Sequence, residues 1–108
     1  MSCRRMCGSH FDGFAANAAT THVVGGKAVD GRKADVILAA WNAFQAAQRT
    51  IREAGTNTEV TEAIAKAAEA YGCNPVEGVL SHKIKKHLID GNDVIINKET
   101  ATQQADEF

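Results

Sequence analysis

Residues 11–24 constrain the fold of this chain most, because alternate positions are small or apolar on both sides. One set of alternate residues is Phe14, Ala16 and Ala18, and the other is Phe11, Ala15, Ala19 and Val23. Small residues on both faces are typical of a strand buried inside a larger sheet. Within this pattern, Asp12-Gly13 indicates a bulge or a tight turn. The stretch is therefore predicted to be a strand pair or one long bent strand, ended by Gly25-Gly26.

Two helices are predicted to follow. The first runs from about Asp30-Gly31 to about Arg52, with Gly55 as the expected C′ residue. Its largely apolar stripe has helical spacing and consists of Ile37, Trp41, Phe44 and Ile51, with the polar Gln48 among them. The second helix is capped by Asn57 or Thr58, and its stripe consists of Val60, Ile64, Ala67 and Tyr71. Both stripes are interpreted as core faces.

Residues 76–98 have the β-branched, alternating character of strands, with a turn predicted at 89–93. The order is therefore strand, helix, helix, strands, which is typical of the α+β class. Residues 99–108 form a polar tail that is expected to fray.

The bulk properties exclude several classes of protein. The chain has 108 residues, one domain at most, and a net charge of −1 that gives no global attraction to nucleic acid or acidic lipid. No apolar run approaches the roughly 20 residues that span a bilayer. Three cysteines are an odd number, which favours reduced thiols and a cytosolic or nuclear compartment. Cys3, Cys7 and His10 lack a fourth ligand at a suitable spacing, so they are not interpreted as a zinc site.

Five phrases occur in one consistent order along the chain. They are residues 10–17 (HFDGFAAN), 31–36 (GRKADV), 57–63 (NTEVTEA), 75–82 (PVEGVLSH) and 89–91 (IDG). In this order they resemble the proliferation-associated family, the non-catalytic relatives of type 2 methionine aminopeptidases. The resemblance covers nearly all of residues 8–108.

The resemblance implies a fold and a domain organisation. The chain would be a fragment of the pita-bread (creatinase/aminopeptidase) fold, with antiparallel strands packed on two helices. Residues 1–7 are predicted to be a divergent leader, residues 8–98 a partial aminopeptidase-like domain and residues 99–108 the polar tail.

The resemblance also implies a degenerate metal site. In the active relatives, two aspartates, one histidine and two glutamates bind two divalent ions. Met6 and Asn17 stand at the aspartate positions here, His82 stands at the histidine position, and the glutamates would follow residue 108. A thioether and a neutral amide supply no charge to a pair of hard cations. We therefore predict no cofactor, no metal and no catalytic residue, and interpret His82 as a hydrogen-bonded structural residue.

Residues 81–87 (SHKIKKH) contain the one concentrated positive patch. In a strand, Lys83, Lys85 and His87 would share a face that could meet phosphates, with Lys86 on the other face. The alternative is a solvated strand edge whose lysines deter aggregation. The candidate RNA-binding residues are Lys83, Lys85, Lys86 and His87.

The predicted function is non-catalytic binding. The resemblance implies a role in growth regulation, with ribosomes or structured RNA and protein partners, in the cytoplasm and also the nucleus or nucleolus. The alternative is a metal-dependent methionine aminopeptidase whose ligands are atypical or completed by a second chain. A third hypothesis is a fragment without an independent function. Self-association is expected through exposed sheet edges and the Trp41/Phe44 face.

Overall fold

The computed structural model describes residues 2–99, and its first element is a long β-hairpin. Strands β1 (Ser2–Phe11) and β2 (Phe14–Val23) are antiparallel, with Ser2 opposite Val23 and Phe11 opposite Phe14. Asp12 and Gly13 form the two-residue turn, and both have positive φ (52° and 85°), as a type I′ turn requires. The predicted turn is therefore confirmed, and residues 11–24 contribute one strand of the pair rather than both.

The partner strand was not predicted. Residues 2–7, interpreted as part of a leader, lie in β1. The alternation also placed Phe11 and Phe14 on opposite faces, which is wrong. The two residues are directly opposite each other across the turn, and opposed residues of an antiparallel pair lie on the same face. The expectation of a strand buried in a larger sheet is wrong for the described residues, since this sheet has two strands and almost all of it is exposed.

The first helix, α1 (Gly31–Thr50), closely matches the predicted range. The prediction of Gly55 as its C′ residue is wrong. The helix ends because Ile51 adopts an extended backbone (φ −66°, ψ 114°), although its N–H still donates to the Ala47 carbonyl.

The second helix, α2 (Asn57–Glu69), begins one residue earlier than predicted, with Thr56 as its N-cap. The Glu59 N–H donates to Thr56 Oγ1 at 3.4 Å, and the Thr56 N–H donates to Glu59 Oε2 at 3.4 Å. This reciprocal capping box satisfies two backbone donors at once. The side chain of Asn57 serves a different purpose, since its Nδ2 donates to the Val94 carbonyl at 3.2 Å.

Helices α1 and α2 pack together and hold the small buried core, which consists of Ala39, Val60 and Ala68. Arg32 fixes their relative position. Its guanidinium donates to the carbonyls of Tyr71 (2.8 Å) and Gly72 (2.6 Å), just after the end of α2. Asn42 Nδ2 on α1 also donates to the Tyr71 hydroxyl at 2.7 Å.

A second hairpin completes the described fold. Strand β3 (Leu80–His82) pairs antiparallel with β4 (Val94–Ile96), and Thr61 on α2 donates to the Ile96 carbonyl at 2.8 Å. The α+β class is thus confirmed for residues 2–99, which form two separate two-stranded sheets and two helices. None of the helices in residues 2–99 is both long and apolar enough to cross a membrane. The predicted polar tail, apart from Glu99, lies outside the described residues.

Candidate functional site

The tips of the two hairpins meet at a small cluster of charged and aromatic side chains. Lys86 Nζ lies 3.1 Å from Asp12 Oδ2 and 5.6 Å from the centroid of the Phe14 ring. The Lys86 ammonium therefore makes an ion pair and a cation–π contact with the same turn. Exposed contacts of these two kinds are each worth at most about 1 kcal/mol.

A backbone hydrogen bond and a close approach to Gly13 also join the two tips, and these depend more strictly on geometry than the ion pair does. The His87 N–H donates to the Gly13 carbonyl at 2.8 Å, and the His87 imidazole lies directly against Gly13. A Cβ at Gly13 would overlap that ring, and the φ of 85° also favours glycine. Gly13 is thus required both by the type I′ turn and by the contact with His87. We call Asp12, Gly13, Phe14, Lys86 and His87 the tip contact.

The predicted positive patch is present, but it is not a strand face. Strand β3 ends at His82, and Lys85 to Leu88 form a tight turn in which the Lys85 N–H donates to the Leu88 carbonyl at 2.9 Å. His87 has a positive φ of 60°, which a continuing strand would not tolerate. The expectation that Lys83, Lys85 and His87 share one strand face is therefore wrong.

Two of the three lysines in the patch are paired with carboxylates. Lys83 Nζ lies 3.3 Å from Asp93 Oδ2, and Lys86 contacts Asp12 as described above. Within the described part of the chain, Lys85 makes no ion pair. The sequence could not identify these partners, because Asp12 is 74 positions from Lys86. Lys85 is thus available to contact a phosphate. Lys83 and Lys86 would first have to leave their carboxylate partners.

His82 is hydrogen-bonded, as the interpretation of a structural histidine expected. Its Nδ1 lies 3.0 Å from the Gly91 carbonyl oxygen. A carbonyl only accepts, so Nδ1 is the donor in this contact and Nε2 is the other ring nitrogen. A single imidazole nitrogen is thus available for a ligand, and it belongs to the second hairpin.

Met6 and Asn17, the two other degenerate positions, lie in the first hairpin. Met6 is opposite Ala19 and is 73 % exposed. Asn17 is opposite Gly8, and its Oδ1 lies where it would crowd a Cβ at Gly8 (2.6 Å). The three positions are therefore divided between two separate sheets.

These residues do not fit the pair of divalent ions that the resemblance to methionine aminopeptidases implies. Hard divalent ions prefer several oxygen donors, including carboxylates. Among residues 2–99, no group of three or more histidine, cysteine, aspartate or glutamate residues is placed to hold a metal ion. A thioether, an amide oxygen and an imidazole in separate sheets do not replace such a group.

An open apolar groove of about 740 Å³ lies between β2 and α1. Trp41 and Phe44 project from α1 at its wall, with ring centroids 6.2 Å apart and exposures of 59 % and 53 %. The opposite wall is formed by the middle of β2, residues 17–21, together with Arg4 of β1. The prediction that the Trp41 stripe is a core face is therefore wrong for the described residues, because no described segment covers it. Helical spacing identifies an apolar face but not what covers that face.

Comparison with known proteins identifies the family. The chain is 50 % identical over 100 residues to a protein named ERBB-3 binding protein 1 from Arabidopsis thaliana. This alignment covers 93 % of the chain. It is 46 % identical over 101 residues to a protein named curved DNA-binding protein from Schizosaccharomyces pombe, covering 94 % of the chain. A proliferation-associated protein A from Dictyostelium discoideum is 41 % identical over 100 residues. The matched stretch, nearly the whole of this chain, belongs to the proliferation-associated family. No protein-family model matches.

Each of these three alignments spans about a quarter (26 %) of the relative's length. A methionine aminopeptidase from Thermococcus onnurineus is more distant, with 31 % identity over 90 residues. The proliferation-associated family is thus related to methionine aminopeptidases over the described hairpins and helices, as the sequence motifs predicted.

Proposed function

We propose that this chain is a non-catalytic binding segment, related to methionine aminopeptidases and built on part of the pita-bread fold. The observation that carries the proposal is the donor set. Met6 and Asn17 stand in one hairpin and His82 in another, without a carboxylate at any of the three positions. Hydrolysis by a pair of metal ions needs anionic oxygens to hold the ions and to bridge them with a water. Binding does not need these groups, and the exposed surfaces remain available for it.

We assign nucleic acid, and structured RNA in particular, as one partner class. The contact surface is residues 83–87, where Lys83 precedes the turn and Lys85, Lys86 and His87 lie in it. Lys85 is available at once, and the pairs of Lys83 and Lys86 are exposed and weak, so a phosphate can replace either carboxylate. The name of the Schizosaccharomyces pombe relative, a curved DNA-binding protein, supports a nucleic-acid partner. Because backbone phosphates carry no base information, this contact positions the chain without reading sequence.

Protein partners, ribosomes and growth regulation are the further roles that the resemblance implies. We propose that the chain acts in the cytoplasm and also in the nucleus or nucleolus. The name ERBB-3 binding protein 1, borne by the Arabidopsis relative, supports a protein partner in the same way.

A salt titration tests the proposed RNA surface. The probe is an RNA hairpin, with a DNA duplex of the same sequence for comparison. Each lysine that contacts a phosphate contributes about one unit to the slope of log affinity against log salt concentration. Replacing Lys83 and Lys85 by alanine should therefore weaken binding and reduce this slope by about 1 to 2.

The matched control is a variant with Lys66→Ala and Lys98→Ala, which loses the same charge elsewhere. Lys98 is a suitable member because it also forms an exposed ion pair, 3.4 Å from Glu77. The control should keep the slope of the unmodified chain. An equal loss of slope in both double variants would retire residues 83–87 as the binding surface. Stronger binding of the DNA duplex would change the assigned partner.

A further inference from the structure

We propose that the tip contact is a phosphate subsite, in which the Asp12 carboxylate occupies Lys86 until an RNA phosphate takes its place. This inference rests on the RNA-binding function proposed above and adds to it a regulatory contact from the first hairpin. The starting observation is that the anion beside Lys86 does not come from the positive patch or its neighbours. Asp12 is 74 positions away, in the turn between β1 and β2.

The Lys86 ammonium has two partners in this turn, and only one of them competes with a phosphate. Asp12 Oδ2 lies 3.1 Å from Lys86 Nζ, and the centroid of the Phe14 ring lies 5.6 Å from it. A carboxylate and a phosphate both offer anionic oxygens to an ammonium, so each excludes the other from the same position. The Phe14 ring is attracted to the cation by its quadrupole and does not need the carboxylate. Phe14 therefore keeps the ammonium in place when Asp12 leaves.

The other half of the tip contact does not depend on the charge of Asp12. The His87 N–H donates to the Gly13 carbonyl at 2.8 Å, which joins two neutral backbone groups. The turn that carries Lys86 is also closed by its own bonds, because the Lys85 N–H donates to the Leu88 carbonyl at 2.9 Å and the Leu88 N–H donates to the Lys85 carbonyl at 3.0 Å. An exchange of anions at Lys86 therefore leaves the two hairpins joined.

This arrangement makes Asp12 an inhibitor of RNA binding. Since the carboxylate and the phosphate exclude each other, the carboxylate weakens RNA binding by as much as its pair with Lys86 is worth. Asp12→Asn removes the charge and keeps the turn, because Asn-Gly is the preferred sequence of a type I′ turn. An exposed ion pair is weak, so affinity for RNA should rise by up to about fivefold in this variant.

The test is the affinity of the full 108-residue chain for the RNA hairpin, measured by fluorescence anisotropy at low salt. The unmodified chain is compared with Asp12→Asn, and both are then compared in a Lys86→Met background. Methionine removes the ammonium but keeps an unbranched side chain against the Phe14 ring. Asp12→Asn should raise affinity only when Lys86 is present, because a double-mutant cycle isolates the term that the two residues share.

The matched control is Asp90→Asn. Asp90 lies close to the positive patch in the sequence, but none of the ion pairs formed within residues 2–99 includes it. Asp90→Asn makes the same change of net charge and should leave affinity close to that of the unmodified chain. Circular dichroism and urea denaturation show that each variant keeps its fold.

A second measurement tests whether the hairpins stay joined. Hydrogen exchange of the His87 amide should be as slow in the RNA complex as in the free chain, because its bond to Gly13 remains. Faster exchange in the complex would contradict an exchange confined to the Lys86 side chain.

The outcomes separate this subsite from the function on which it rests. An unmodified chain that does not bind RNA would remove the proposed function, and the subsite with it. RNA binding that depends on Lys83 and Lys85 but does not tighten in Asp12→Asn would overturn the subsite alone. An equal gain in Asp90→Asn, or a gain that persists in the Lys86→Met background, would overturn it in the same way.

Discussion

Lys86 Nζ lies 3.1 Å from Asp12 Oδ2, and this ion pair joins the tips of two hairpins that are separated by both helices in the sequence. Asp12 belongs to the phrase HFDGFAAN, and Lys86 belongs to the positive patch. One structural contact thus uses both of the sequence features that first suggested a function. It also means that the charge of Lys86 is shared between holding the fold and meeting a partner.

The tip contact predicts a specific cost of substitution at Gly13. Gly13→Ala should lower the free energy of unfolding by about 2 kcal/mol, because the residue has a positive φ and its new Cβ would overlap the His87 ring. Urea denaturation measures the change. Gly26→Ala is the control, since no heavy atom beyond its two neighbours in the chain lies within 4 Å of its Cβ position. The control should change stability by no more than about 1 kcal/mol, and equal losses in the two variants would contradict the contact.

The ion pair of Lys83 predicts a variant that binds RNA more tightly. Asp93→Asn releases the Lys83 ammonium and removes a negative charge from the surface that meets phosphates. Because an exposed pair is worth up to about 1 kcal/mol, affinity for the RNA hairpin should rise by up to about fivefold. The measurement is fluorescence anisotropy at low salt.

Glu77→Gln is the matched control for Asp93→Asn, since it changes net charge equally and releases Lys98 instead. Its affinity should stay close to that of the unmodified chain. Equal gains in both variants would show that net charge, rather than the release of Lys83, sets the affinity.

The hydrogen bonds of Arg32 predict that substitutions at Arg32 and at its neighbour Lys33 differ in their effect on stability. Arg32→Lys should lower the free energy of unfolding by about 1 kcal/mol, because lysine does not reproduce the fork that donates to both the Tyr71 and Gly72 carbonyls. The reciprocal change Lys33→Arg should be nearly neutral. If chemical denaturation gave the same stability for both variants, the Arg32 contact would not be holding α1 against the end of α2.

Restoring one carboxylate should not restore an enzyme. Asn17→Asp supplies one anionic oxygen, but Met6 and the separate location of His82 leave the donor set incomplete. We expect no hydrolysis of a peptide that begins with methionine in the presence of cobalt or manganese, with an active methionine aminopeptidase as the positive control. Metal-dependent turnover by the variant would revive the aminopeptidase alternative.

The sequence predicted those elements whose determinants are local. Helical spacing placed α1 within two residues at its end, and Asp12-Gly13 gave the correct turn. The N-cap was missed by one residue, because Thr56, Asn57 and Thr58 are all suitable caps and only the reciprocal bonds with Glu59 distinguish Thr56.

Long-range relationships were not accessible from the sequence in the same way. Strand β1 has no clear alternation of its own and is defined by its pairing with β2. The lysine partners lie elsewhere in the sequence, Asp12 in the turn of the first hairpin and Asp93 directly before β4. The exposure of Trp41 depends on which segments surround it. The predicted RNA-binding residues stay a prediction, now with a turn rather than a strand face as their geometry.

Thermal unfolding with and without manganese or cobalt tests the central claim, a folded but non-catalytic binding segment, most directly. A ligand that binds only the folded state raises the midpoint of unfolding. We predict one cooperative transition whose midpoint is unchanged by either metal. A midpoint that rises and saturates at one or two equivalents of metal, and that falls back in His82→Ala, would contradict the non-catalytic assignment. The absence of any cooperative transition would contradict the claim that this chain folds as a binding segment by itself.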